Sequence, residues 1–237
     1  GFYFMGKLAL VESQKNYIGK TVICIRTGVT LSREGKNVLL MDLSSGKKKI
    51  SEYLNVNESI IYDVKDALDE ICSLEQAVIE ISERLSLIPC PRITDKLSTI
   101  TQDAFTEIVI KAKETYDYII ADVDKVSAAY INFSLVNHVI TVNNNDFSCI
   151  KGFNNTKSIA QKYNVNHVLP MLNMYQRKNA KKGTAMSAMD IQRMTEMDMD
   201  VIIEENPEYS NMNYGYLLSS EDDSFNKAVK TIAGKLN

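Results

Sequence analysis

Three consecutive residues, Gly19, Lys20 and Thr21, could hold a phosphate chain. They follow an apolar run and open a segment of helical spacing, where a phosphate-binding loop must lie. Backbone N–H groups at a helix start point at anions. The Lys20 ammonium would neutralise β- and γ-phosphate charge, and the Thr21 hydroxyl would reach Mg²⁺. Two further apolar runs end in acids: VLLMD at Asp42 and YIIAD at Asp122. As strand ends they would bring carboxylates to the same edge. The bland readings are a solvated lysine and two helix-capping aspartates.

The head of the loop departs from the usual pattern. Gln14 stands where the first glycine of an eight-residue phosphate loop belongs, and Asn16 and Tyr17 fill positions that are often glycine. Glycine serves such loops by adopting positive φ and letting backbone approach the phosphates. Asn16 tolerates that conformation; Tyr17 suits it poorly.

The elements that must position these groups are legible in the periodicity. Lys7–Glu12, 38–42, 85–89, 118–122, 138–142, 167–172 and 199–203 read as short buried strands. Helical spacing covers 19–33, 62–70, 74–81, 101–115, 150–163 and Ser224–Leu236. Strands alternating with helices predict α/β architecture: a mainly parallel sheet with helices on both faces and ligands at the strands' carboxyl ends. The expectation is one domain over 6–237, with 1–5 a tag or linker remnant.

Composition narrows the function. The net charge of −3 argues against nucleic acid as a partner. The four cysteines have neither a CxxC pair nor a zinc spacing, so reduced thiols and a cytoplasmic location are expected. No run reaches the ~20 apolar residues of a membrane span, and no basic-then-apolar leader is present. His138 and His167 begin strands and read as structural; the Met-rich stretch 186–199 reads as core or adaptable interface. Lys47, Lys48 and Lys49 read first as a solvated turn, with a phosphate or partner contact as the sharper alternative.

Over nearly its whole length the sequence resembles the MinD/ParA family of deviant Walker A P-loop ATPases. The family loop KGGxGK[ST] is similar to KNYIGKT here, with Lys15 at the signature lysine. VLLMD resembles the family's VLLIDxD strand; Asp42 matches its first carboxylate and Ser44 replaces the second, which places the attacking water. YDYIIAD resembles the Walker B strand ending in Asp122, and Leu172-Asn173 the strand end that contacts adenine.

The resemblance implies ATP and Mg²⁺ as cofactors. It implies nucleotide contacts from Lys15, Asn16, Tyr17, Ile18, Gly19, Lys20, Thr21, Val22 and Asn173, and metal contacts from Thr21 and Asp122. It assigns catalytic work to Lys15, Lys20 and Asp42, with Lys15 crossing the interface of a nucleotide-sandwich homodimer. The implied function is a slow ATPase switch that positions a cell-division or surface-appendage assembly through an unidentified protein partner. With Ser44 in place of a carboxylate, the alternative is a pseudo-ATPase scaffold of the TadZ-like kind. Asp124 is a candidate substitute carboxylate. Ser224–Leu236 is expected to pack on the domain, with no C-terminal membrane helix in this chain.

Overall fold

A computed structural model describes residues 5–237; residues 1–4, most of the expected tag or linker remnant, lie outside the described residues. In chain order the first half runs β1 (Lys7–Glu12), α1 (Lys20–Arg33), β2 (Val38–Leu43), α2 (Ile50–Tyr53), α3 (Val64–Leu68), α4 (Leu74–Ala77), β3 (Ile79–Ser82), β4 (Leu85–Ile88), α5 (Gln102–Thr115) and β5 (Tyr118–Val123). The second half runs β6 (Val136–Asn143), α6 (Cys149–Lys162), β7 (Val168–Tyr175), α7 (Arg177–Lys182), α8 (Ala188–Thr195), β8 (Val201–Glu204), α9 (Tyr214–Leu217) and α10 (Ser224–Leu236).

The strands form one sheet in the order β3-β4-β2-β5-β1-β6-β7-β8, parallel except for the β3–β4 pair. β1 lies between β5 and β6, and the chain winds away from it in both directions. That reversal opens a crevice at the strands' carboxyl ends. β2 and β5 are buried along their whole length, as expected of strands covered on both faces.

Alternate residues feed opposite layers. Ala9, Val11, Leu40 and Ile120 pack with α1 and α10 through Ile23, Phe225, Val229 and Ile232. Leu8, Leu10, Leu39 and Ile119 pack with α5 through Phe105 and Val109. A smaller cluster joins α6 to α8 through Phe153 and Ile191. α10 buries its apolar stripe against the domain, as expected. No described helix is long and apolar enough to cross a membrane.

Two sequence expectations fail locally. The helix over 74–81 stops at Ala77, and Ile79–Ser82 becomes an antiparallel edge strand. Ile79 and Ile81 are half-buried while Glu80 and Ser82 are exposed. That period of two, with Arg84 at φ 64° in the turn, competes with the helical spacing and wins once β4 offers a partner. α2, α7, α8 and α9 fall in stretches with no assigned element, being too short for their periodicity to register.

Candidate nucleotide site

The site grows from the carboxyl end of β1. Between Glu12 and Lys20 the chain turns into α1, whose N-cap is Gly19 at φ 76° with no side-chain cap. The first amides of α1 are left to an outside acceptor. A Cβ at Gly19 would lie 2.5 Å from Asn173 Nδ2, so glycine is required for both space and conformation. Beneath the loop Ile18 is buried in the core, and its carbonyl accepts a 2.8 Å hydrogen bond from Asn173 Nδ2 at the end of β7. The phosphate loop and the strand-end asparagine are thereby built as one unit.

The expected assignment of backbone strain is reversed. Tyr17, not Asn16, takes the left-handed conformation, at φ 59°. Its side chain is 80% exposed, so the ring meets no neighbour that would forbid the turn and only the intrinsic backbone cost remains.

The three strand-end and helix-start groups converge. Lys20 forms an ion pair with Asp122 and donates to Ser44 Oγ at 3.2 Å. Thr21 Oγ1 donates to Asp122 Oδ2 at 2.7 Å, and Asp122 is completely buried. Burial opposes a charged Lys20, but attraction to Asp122 and the bond to it, with a further pull from Asp124, outweigh that and raise its pKa. Lys20 is an ammonium.

Asp42 lies behind the cleft rather than in it. Its carboxylate accepts from the amides of Ser44 (3.1 Å) and Ile50 (2.9 Å). Burial and the nearby charge of Asp122 push its pKa up to about 7. In this arrangement Asp42 is a positioning residue for the loop after β2. Lys15 forms an ion pair with Asp146 of its own chain.

Lys15, Asn16, Tyr17, Gly19, Lys20 and Thr21 line a cavity of about 420 Å³. A second cavity of about 940 Å³ adjoins it, sharing Gly19, Lys48 and Tyr53 and lined also by Val22, Asn173 and Tyr209. The two cavities meet along the three shared residues. Lys47 and Lys48 thus line the cavity, as the sharper of their two sequence readings allows, whereas nothing in the sequence pattern marks Tyr53 as a site residue. Asp124 lines the first cavity and accepts from the Ser45 amide at 3.0 Å and from Ser44 Oγ at 3.3 Å. A carboxylate therefore stands beside the position where Ser44 replaced one.

Among the described residues no cluster of three or more His, Cys, Asp or Glu could hold a metal by itself. Thr21 and Asp122 place hard oxygen donors side by side, of the kind that Mg²⁺ takes together with phosphate oxygens.

No family profile matches the sequence. The chain is 28% identical over 121 residues to the septum site-determining protein MinD of Bacillus subtilis, a match covering 50% of this chain and 45% of that protein. It spans about half the length of the first curated relatives it matches. Its fold is shared with MinD in the MinC:MinD cell division complex of Aquifex aeolicus (TM-score 0.82, 22% identity, 97% of this chain and 96% of that one). It is shared also with a ParA family ATPase of Chlorobium tepidum (TM-score 0.79, 18% identity, 96% and 98%). With the loop, both strand-end aspartates and Asn173 gathered at one sheet edge, the chain has the fold of the MinD and ParA ATPases and a sequence similar to MinD over half its length.

Proposed function

We propose that this chain is a Mg²⁺–ATP-binding switch that positions another protein assembly, of cell division or of a surface appendage. The observation that carries the reading is the convergence of Lys20, Thr21 and Asp122 under the uncapped start of α1, beside a second cavity reaching Asn173. Lys20 would exchange part of its contact with Asp122 for phosphate oxygens. Thr21 and Asp122 would hold Mg²⁺, which when bound neutralises phosphate charge. Asn173 and Val22 would meet the base.

Hydrolysis would be slow, because Ser44 cannot orient a water as a carboxylate does. ATP would also draw two copies together, with Lys15 leaving Asp146 for the nucleotide of the partner copy. The resulting face would recruit a protein partner, as MinD of Aquifex aeolicus forms a cell division complex with MinC.

Sedimentation velocity with and without Mg²⁺–ATP, run beside a phosphate-release assay, tests this reading. The expected result is ATP-dependent dimers, lost in Lys15→Ala, with slow release of phosphate. Dimers that form equally without nucleotide, and no release of phosphate, would favour the scaffold reading instead.

A further inference from the structure

The fold gives Lys47, Lys48 and Lys49 distinct jobs. The loop 44–49 between β2 and α2 is braced from two sides. Asp42 accepts from the amides of Ser44 and Ile50, and Asp124 accepts from Ser44 Oγ and the Ser45 amide. The Lys49 ammonium donates to the Ser44 carbonyl, closing the loop on itself.

Lys47 and Lys48 are left over, and both line the cavity that the phosphate loop lines. The Lys48 ammonium stands 4.1 Å from the Tyr53 ring centroid, and Lys48 also lines the larger cavity. It therefore sits at the junction of the two. Lys15 and Lys20 carry carboxylate partners. Among the described residues Lys47 and Lys48 have none. Two lysines without ion-pair partners thus line a cavity that the start of α1 also lines.

We propose that Lys47 and Lys48 form a phosphate clamp within the chain, which closes on the polyphosphate tail of the nucleotide and grades ligands by tail charge, triphosphate above diphosphate above monophosphate. The inference rests on the nucleotide-binding reading above. Its chemistry is the charge-assisted hydrogen bond from ammonium to phosphate oxygen, strengthened where the cavity excludes water. Residues 44–49 carry no carboxylate, so the loop itself offers nothing to compete with phosphate for these ammonium groups. The combination holds a triphosphate while doing little to cleave it. Lys48 stacks on Tyr53 until a phosphate arrives, so its stem is already aimed.

The test is equilibrium titration of the full chain with fluorescent ATP, ADP and AMP analogues in Mg²⁺, at two salt concentrations. The proteins are wild type, Lys48→Ala, Lys48→Arg, Lys47→Ala/Lys48→Ala and, as a surface control, Lys36→Ala. The double variant should bind ATP about 10- to 100-fold more weakly, ADP less affected and AMP hardly at all. Its salt dependence should be shallower. Lys48→Arg should keep most of the affinity, and Lys36→Ala all of it. Wild type that binds ATP, with an unchanged ATP-to-ADP ratio in the double variant, overturns the clamp and leaves the nucleotide reading standing. Wild type that binds no nucleotide overturns both.

Discussion

One methyl group at position 19 should damage the cleft by way of Asn173. A Cβ there would lie 2.5 Å from Asn173 Nδ2, on a backbone at φ +76°. Two costs add. The left-handed conformation costs a residue with a Cβ roughly 1–2 kcal/mol. The asparagine must also move, losing its 2.8 Å bond to the Ile18 carbonyl and leaving a buried acceptor unpaired, about 1 kcal/mol more. Gly19→Ala should therefore destabilise the fold by about 2–3 kcal/mol. Asn173→Ala alone should cost about 1–2 kcal/mol, through the same lost bond. In the double variant the clash is gone and the bond is lost only once. The sum of the single effects should exceed the double by about 1 kcal/mol. Urea unfolding followed by circular dichroism measures all four proteins, with m-values compared to confirm a common unfolded state. A neutral Gly19→Ala, or single effects that add to within about 0.5 kcal/mol, would refute the reasoning that loop and strand end are coupled.

Other substitutions follow from the same geometry. Tyr17→Gly relieves a left-handed residue whose ring is exposed and should stabilise the chain by about 1 kcal/mol, seen as a higher melting temperature; a lower one contradicts the strain. Lys20→Met leaves the fully buried Asp122 without its cation and should cost about 3–5 kcal/mol in urea unfolding, partly recovered in Lys20→Met/Asp122→Asn. An undiminished wild-type stability would show the pair to be unimportant. The pH dependence has two opposing parts. Asp42 titrates near 7 folded against 3.8 unfolded, so the stability it lends is full below about pH 4 and is lost as pH rises through 7. Burial, then the charges of His167 and Lys7, lower His138 to about 4 from 6.5, so its effect is the reverse: stability rises from about pH 4 to 6.5. Asp42→Asn should expose the rising limb and His138→Asn the falling one; the same profile in both variants would contradict the assignment.

Much of the fold was legible because its determinants are local. β1 and α10 match their predicted bounds to the residue. Apolar runs such as VLLM and YIIA, too short for helices and bounded by turn signals, read as strands buried on both faces. The edge strand Ile79–Ser82 was lost to a helical reading because four residues carry too little periodicity, and only the partner β4 decides between the two. At the site, Gly19, Lys20 and Thr21 were readable because a phosphate loop needs those types in that order, and Asp122 because it ends an apolar strand run. Three features were not. Tyr17 takes positive φ because its ring has somewhere to go, a property of the surroundings. Asp42 spends its carboxylate on loop amides eight residues away or fewer, which no spacing rule shows. Asp124, weighed as a candidate from sequence, joins Ser44 and Ser45 across two strands, and only sheet order brings them together.

The account depends on the loop still holding a polyphosphate despite Gln14 and Tyr17. Isothermal titration of wild-type protein with ATP in Mg²⁺ tests this most directly. The account predicts saturable heat at one site per chain, abolished by removing the phosphates, as with adenosine. No heat under conditions where the chain is folded would contradict it.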